Sequence, residues 1–307
     1  MELFLPTPHA DVNAIVATLL ARVRETLGGH FVAMFLDGSL AHGDFDDASD
    51  IDFIVVTDEE VSGDMFEALR AMHDEIALLP TPWAIQLEGS YISRDALRRY
   101  DPARAYHPNI ERGRGERLKM VQHDASWLVH RAIAHERGIA LAGPPPRELI
   151  DPVGPDELRA AMRAMLPGWK EWLLDHPERL ARRGYQSYSV LSMCRVLYTL
   201  RRGAVASKPV AARWAQAELG PQRAPLIERS LAGRHIPDTP ATPEDIAQTL
   251  ALLRYTLNVA GEAEEEGDSG SLCPRPILRL VEDNRALALH YVVRYLVAAV
   301  SGKVVHD

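Results

Sequence analysis

The sequence is poor in cysteine and has no long apolar run. Two of its 307 residues are cysteine, Cys194 and Cys273, and neither belongs to a C-x-x-C pair. A disulfide scaffold, a zinc ribbon and a thioredoxin-type motif are therefore excluded. No apolar run approaches the roughly 18 residues that span a bilayer, and the N-terminus lacks the basic and apolar regions of a signal peptide. These absences predict a reduced cytoplasmic protein without a membrane contact, with Cys194 a buried thiol in an apolar helical pattern.

Positive charge is also scarce. The chain has 34 lysine and arginine residues against 43 aspartate and glutamate residues, a formal net charge of −9. Sequence-independent DNA binding needs a basic surface, so DNA is not an expected partner. An acidic chain suits a small cationic ligand, because acidic clefts concentrate cations. The length fits two domains, and a monomer is the expected state.

The apolar pattern changes near residue 120. Before it, helical periodicity over 11–27 and 63–79 alternates with apolar runs typical of strands at 31–36, 50–56 and 83–92. After it, helical periodicity recurs at 124–137, 156–174, 187–202, 208–219 and 243–261. The sequence therefore predicts an α+β chain with a small mixed β-sheet domain over 1–120 and an α-helical bundle domain over 121–262. Residues 263–307 are expected to form an acidic linker and a C-terminal helix.

Two aspartates, Asp50 and Asp52, stand at the start of a predicted strand. Alternate strand residues share a face, so their Cα atoms are about 6.6 Å apart on one side. Two carboxylates about 4 Å apart repel by roughly 4 kcal/mol at an effective dielectric constant near 20, and a divalent cation removes that cost. The alternative is a pair of exposed acids that accept hydrogen bonds from turn amides.

Gly38-Ser39 follows the preceding strand, and ten residues separate it from Asp50. Glycine allows a phosphate to approach the backbone, and Ser39 offers an amide and a hydroxyl to phosphate oxygens. The order of strand, Gly-Ser, loop, and strand with D-x-D therefore predicts a phosphate and metal site. Three acids of the loop between them are either rival metal ligands or solvated: Asp44, Asp46 and Asp47.

Glu88 is a carboxylate in the middle of the predicted strand 83–92. Such a group needs a partner or a role. It could complete the metal site, act as general base on an attacking hydroxyl, or pair with an arginine on an exposed strand face.

These motifs resemble the DNA polymerase β-type nucleotidyltransferase fold. Downstream segments are similar to the helical C-terminal domain of aminoglycoside (streptomycin/spectinomycin) adenylyltransferases, a family of antibiotic-resistance enzymes. Those segments are His123 to Pro144, Leu149 to Val153, Cys194 to Thr199, Gly203 to Lys208 and Ala211 to Ala215. The resemblance covers roughly residues 10–260 and spans both predicted domains in order.

The resemblance implies a Mg²⁺-dependent transfer of AMP from ATP to a hydroxyl of a small cationic acceptor. Ser39, with Gly38, would bind the triphosphate; Asp50 and Asp52 would hold Mg²⁺. Glu88 would be the base and would line the metal site. Arg195 and Lys208 would bind ATP phosphates. Two Mg²⁺ ions about 3.5–4 Å apart are expected.

Two family features are not matched. The acidic residues that grip the cationic drug fall near Tyr185-Gln186, and no stacking tryptophan occurs in 106–118, which is basic and rich in glycine. That stretch is either a mobile loop or the lining of a substrate cleft. On the residues alone, Arg195 and Lys208 are equally consistent with surface cations. Three other functions stay open: a nucleotidyltransferase acting on protein or RNA, a non-catalytic nucleotide-binding module, and a helical interaction protein.

Overall fold

The computed structural model describes residues 6–267, with side chains to residue 261. The chain divides into two compact units, one ending at Val153 and one beginning at Gly154. Within residues 6–267, no helix is both long and apolar enough to cross a membrane.

The first unit is a six-stranded mixed sheet with helices on both faces. The strand order is β5-β4-β3-β2-β1-β6. Neighbouring strands are antiparallel except β2 and β3, which are parallel. The strands are β1 (Phe31–Leu36), β2 (Ile51–Thr57), β3 (Leu87–Ser93), β4 (Tyr106–Ile110), β5 (Lys119–Gln122) and β6 (Ile139–Ala142). The helices are α1 (Ala10–Leu27), α2 (Gly38–His42), α3 (Gly63–Ile76), α4 (Arg94–Arg98), α5 (Trp127–Arg137) and α6 (Pro146–Leu149).

Each face of this sheet carries its own apolar core, because successive strand residues point to opposite sides. On one face, β-strand residues such as Phe53 and Val55 pack with α1 and α3. On the other, Ile54, Val56 and Ile92 pack with α4 and α5. By the same alternation, Asp52 and Glu88 lie on the second face, at the end where β2 and β3 begin.

The first unit extends beyond the boundary expected near residue 120. The helical periodicity of 124–137 is confirmed as α5, but this helix packs on the sheet rather than starting a separate bundle. Strand β6 then pairs with β1, with Leu36 opposite Ile139. A sheet edge closed by a distant segment leaves no signal in local periodicity, which is why the sequence pattern alone placed the boundary too early.

Local structure departs from expectation in two further places. The loop predicted between the strands 31–36 and 50–56 contains the short helix α2 near its start. The predicted strand 83–92 begins only at Leu87, because Pro82–Ile85 forms a 3₁₀ turn capped by Thr81. Proline at the first position of a helical turn is favoured, since its missing N–H has no partner there in any case.

The second unit is helical, in agreement with the expected bundle. Its helices are α7 (Pro155–Leu174), α8 (Arg183–Arg202), α9 (Lys208–Glu218), α10 (Ala224–Gly233) and α11 (Pro243–Gly267). Helix α8 contacts each of the other four and is buried along much of its length. Cys194 on α8 is fully buried, which confirms the structural interpretation of this thiol, and burial raises its pKa to about 12.

Helix α11 continues to Gly267, so the acidic linker expected from residue 263 begins with a helical backbone over 263–267. The C-terminal helix expected within 263–307, which the apolar spacing places over 276–300, lies outside the described residues.

Candidate active site

Three carboxylates converge where β2 and β3 begin. Asp50 directly precedes β2, and Asp52 lies in β2. Glu88 lies in β3, opposite Asp52 in the strand register. One oxygen from each of the three side chains lies within 4.8 Å of the other two. We call these three residues the carboxylate cluster. Sequence spacing indicates that Asp50 and Asp52 share a face, and the structure adds Glu88 to the same place.

Parallel pairing of β2 and β3 sets this geometry. Asp52 is opposite Glu88 in the register, and the Ile51 N–H donates to the Gln86 carbonyl at 2.8 Å. Apolar neighbours on both strands point to the opposite face, so a shift by one residue would bury the carboxylates in that core. The register that buries Phe53 and Leu87 therefore also brings the acids together.

Gly38 lies against the cluster with its backbone. Its φ is +56°, and a Cβ at this position would come 1.7 Å from Asp52 Oδ2. The preceding residue, Asp37, donates its N–H to the Asp52 carbonyl at 3.0 Å. Glycine is thus needed for a left-handed backbone and for room beside a carboxylate, whereas the sequence suggested only room for phosphate.

Ser39 is the second residue of α2, next to this contact. Its Oγ is buried, and no hydrogen-bond partner for it occurs among the described residues. A buried hydroxyl is normally hydrogen-bonded. Its position beside the carboxylate cluster is consistent with a hydroxyl that meets a phosphate oxygen, and that role stays a prediction.

Burial and nearby cations define the electrostatics of the cluster. Glu88 is only 7% exposed. Arg112 Nη1 lies 3.4 Å from Asp50 Oδ2, and both side chains are partly exposed. Beyond Glu88, the buried Glu111 pairs with Lys119, whose Nζ is 3.0 Å from Glu111 Oε2. The cluster is thus an anionic centre with a guanidinium at its edge.

A buried aspartate and a histidine adjoin this centre. Asp37 is 1% exposed and precedes α2, and His130 Nδ1 on α5 lies 3.2 Å from its Oδ2. Sequence reasoning missed Arg112, Asp37 and His130. The position of Asp37 directly before Gly-Ser is a signal that could have been read, but the approach of Arg112 and His130 depends on chain segments far away in sequence.

The loop acids do not join the cluster. Asp46 closes a turn: its Oδ1 accepts hydrogen bonds from the Ala48 N–H at 3.1 Å and from Ser49 Oγ at 2.9 Å. This contact makes Asp46 a structural residue of the loop between α2 and β2.

Arg195 and Lys208 both belong to the second unit. Arg195 on α8 donates from Nε to the Ala206 carbonyl at 3.2 Å, which restrains its guanidinium. Lys208 is the first residue of α9, and its Nζ lies 5.8 Å from the centre of the Tyr188 ring. Binding of phosphate by these two cations stays a prediction.

Tyr185 and Gln186, near which the family resemblance places drug-contacting acids, have structural roles in this chain. Tyr185 is buried and its hydroxyl accepts a hydrogen bond from Trp172 Nε1 at 2.6 Å. Gln186 is buried and donates to Thr249 Oγ1 at 3.0 Å. These two side chains hold helices α7, α8 and α11 together.

Comparison with known proteins gives consistent matches for both units. Residues 17–100 match the nucleotidyltransferase domain family, and residues 148–257 match the family described as aminoglycoside adenylyltransferase, C-terminal domain. The aminoglycoside (3'') (9) adenylyltransferase of Klebsiella pneumoniae is 29% identical over 221 residues, 72% of this chain and 69% of the relative. The Escherichia coli enzyme with the same name is 28% identical over 228 residues, 71% of this chain and 83% of the relative.

Two further similarities involve spectinomycin enzymes. Spectinomycin 9-adenylyltransferase of Staphylococcus aureus is 25% identical over 230 residues, 72% of this chain and 84% of the relative. The crystal structure of spectinomycin adenyltransferase AAD(9) from Enterococcus faecialis with ATP and spectinomycin has a TM-score of 0.61 at 16% identity. The match covers 81% of this chain and 98% of that chain. At this identity the structural similarity shows a shared fold.

Proposed function

The chain belongs to the aminoglycoside adenylyltransferase family, and from that premise we propose that it transfers AMP from ATP to a hydroxyl of a small acceptor of the aminoglycoside or spectinomycin type. The observation that carries the proposal is the convergence of Asp50, Asp52 and Glu88 beside Gly38-Ser39. This arrangement joins an anionic oxygen cluster to a buried hydroxyl that has no partner within the described part of the chain, as a metal-nucleotide site requires.

The donor set fits Mg²⁺. This ion takes oxygen ligands, usually one or two carboxylates together with phosphate oxygens and water. Three carboxylate oxygens within 4.8 Å of one another supply more than that minimum. Asp50 and Asp52 would hold the ion, with Glu88 as a further ligand. When bound, Mg²⁺ would neutralise charge on the phosphates of the nucleotide.

In the proposed reaction, an oxygen of the acceptor hydroxyl attacks the α-phosphorus of ATP. The bond from this phosphorus to the bridging oxygen breaks, and pyrophosphate leaves with the electron pair. The hydroxyl proton passes to the carboxylate of Glu88. Glu88 suits this role because a carboxylate can accept a proton and this one lies in the carboxylate cluster, opposite Asp52 in the strand register.

The acceptor class rests on the relatives. Their names give the acceptors as aminoglycoside and spectinomycin, both small molecules with hydroxyl groups. The net charge of −9 is compatible with a cationic acceptor. Because Tyr185 and Gln186 are structural, we infer that the range of accepted drugs differs from that of relatives that carry acids there.

Pyrophosphate release with ATP, Mg²⁺ and a panel of aminoglycosides and spectinomycin tests the proposal. Glu88→Gln removes the base and nearly keeps its shape, so kcat should fall by about 10²- to 10⁴-fold. Glu136→Gln, an exposed acid on α5, is the matched control and should keep wild-type rates. The proposal would be contradicted if no acceptor of the panel led to pyrophosphate release from ATP. Full activity of Glu88→Gln would contradict the role of Glu88 as base.

A further inference from the structure

Arg112 lies at the edge of the carboxylate cluster, in the stretch that follows β4. Its Nη1 is 3.4 Å from Asp50 Oδ2. The local sequence is Arg112-Gly113-Arg114-Gly115, the basic, glycine-rich stretch that family resemblance leaves without a role. The contact with Asp50 brings this stretch to the proposed metal site.

The cluster needs a positive partner in the free enzyme. Three carboxylates with oxygens within 4.8 Å of one another repel, and Glu88 is largely removed from water. A guanidinium on Asp50 offsets part of that repulsion. Lys119, the cation next along the sheet, is instead paired with Glu111 at 3.0 Å and Glu116 at 3.3 Å. Arg112 is therefore well placed to neutralise the cluster before a metal ion arrives.

The stretch around Arg112 combines an anchored backbone with a side chain that has room to move. The Gly113 N–H donates to the Ile85 carbonyl at 2.8 Å, which holds the backbone beside the start of β3. Gly113 and Gly115 have φ values of +133° and +83°, a turn that larger residues adopt poorly. The Arg112 side chain is 36% exposed, so its long stem can reorient without unfolding the turn.

We propose, on the basis of the proposed function, that Arg112 exchanges partners during nucleotide binding. In the free enzyme it pairs with Asp50 and competes with the divalent cation. Once the metal and triphosphate occupy the cluster, the cation repels the guanidinium from Asp50, and the phosphate oxygens attract it. A guanidinium suits both partners, because its planar fork matches carboxylate and phosphate oxygens equally. Arg112 thus positions the triphosphate, and before the nucleotide binds it is held near the site by its ion pair with Asp50.

Opposite changes in two affinities are the signature of this exchange. Mn²⁺ binding to the free enzyme is measured by electron paramagnetic resonance of the unbound ion. Arg112→Gln removes the competing charge, so the Mn²⁺ affinity should rise about fivefold, as expected for a partly exposed ion pair. Binding of Mn²⁺ with non-hydrolysable α,β-methylene ATP should weaken about tenfold, since a charge-assisted hydrogen bond to phosphate is lost.

Arg114→Gln is the matched control, because it makes the same charge change two residues away on an exposed side chain. It should leave both affinities within about twofold of wild type, as expected for an exposed charge outside the site. Arg112→Gln with unchanged or weaker Mn²⁺ binding would overturn the exchange, and so would nucleotide binding equal to that of Arg114→Gln. A purely structural role would weaken both affinities together.

Asp52→Asn separates this inference from the function it rests on. If Asp52→Asn lowers Mn²⁺ affinity while Arg112→Gln does not raise it, the exchange fails and the metal site stands. If Asp52→Asn leaves Mn²⁺ affinity unchanged, the carboxylate cluster is not the metal site, and both proposals fall.

Discussion

The Asp52 carboxylate lies where a side chain on residue 38 would be. A Cβ built on Gly38 would come 1.7 Å from Asp52 Oδ2 and 2.5 Å from its Cγ. The Asp52 carboxylate thus occupies the space beside residue 38 that a side chain would need. Only glycine fits at this position. This contact joins the start of α2 to the strand of Asp52 more directly than their separation in sequence suggests.

Gly38→Ala tests that contact. The added methyl must displace the Asp52 carboxylate, so Mn²⁺ binding and pyrophosphate release should fall at least about tenfold. The positive φ should add a stability loss of about 1–2 kcal/mol. Gly43→Ala is the control, because Gly43 has a φ of +77° but nothing lies within 4 Å of the place that its methyl group would take. It should lose similar stability in urea unfolding and keep activity. Equal activity losses in the two variants would show that the Gly38–Asp52 contact is unimportant.

Arg195→Gln and Lys208→Gln test the phosphate-binding roles implied by the family. Each should raise the KM for ATP about 10- to 100-fold, since a charge-assisted contact to phosphate is worth roughly 1.5–3 kcal/mol. The KM for the acceptor should change much less. Arg201→Gln, an exposed arginine later on α8, should leave both constants unchanged. An unaltered KM for ATP in both Arg195→Gln and Lys208→Gln would show that neither cation binds the nucleotide.

Acid sensitivity should be traceable to His73. Burial lowers the pKa of His73 to about 4, and its Nε2 lies 2.7 Å from the Tyr91 hydroxyl. In the unfolded chain the His73 imidazole becomes protonated below about pH 6.5. In the folded chain it becomes protonated only below about pH 4. Stability is therefore complete above about pH 6.5 and declines as the pH falls toward 4, by about 2 kcal/mol at pH 5 from this residue.

The measurement compares urea unfolding of wild type and His73→Gln at about pH 7.5 and about pH 5. Glutamine keeps a hydrogen-bonding partner for Tyr91 but does not titrate. The stability advantage of the wild type over the variant should shrink by about 2 kcal/mol between the two pH values. A pH-independent difference would mean that His73 becomes protonated in the folded state as readily as in the unfolded chain.

Arg131 should be a strong determinant of stability in the first unit. Arg131 is 2% exposed, and its guanidinium donates to the carbonyls of Ala96 and Leu97 at 3.0 and 3.2 Å, at the C-terminal end of α4. Arg131→Met leaves these carbonyls without their donors, at an expected loss of about 2–4 kcal/mol in urea unfolding. Arg137→Met, on an exposed position of α5, should change stability by less than about 0.5 kcal/mol. Similar stability losses in the two variants would show that the buried hydrogen bonds of Arg131 contribute little to stability.

Periodicity was sufficient for the main elements. The apolar spacing of 11–27 and the run 31–36 predict α1 and β1 almost to the residue, because each pattern reflects one buried face. The same reasoning finds α8 and the buried Cys194. It fails at the unit boundary, since nothing in the short stretch Ile139–Ala142 shows that it pairs with β1 rather than with a nearby strand.

Local pattern was enough to place Asp50 and Asp52 on one side of a strand, because a strand has a period of two, and to place Gly38-Ser39 between that strand and the one before it, but not to find the short helix α2 that Gly38-Ser39 begins. Which acids and bases meet there was set by the packing of distant segments. Glu88 joins through the parallel register of β2 and β3, and Arg112 through the path of the chain after β4. Such contacts join segments tens of residues apart, and they follow from burying both faces of the sheet rather than from any local pattern.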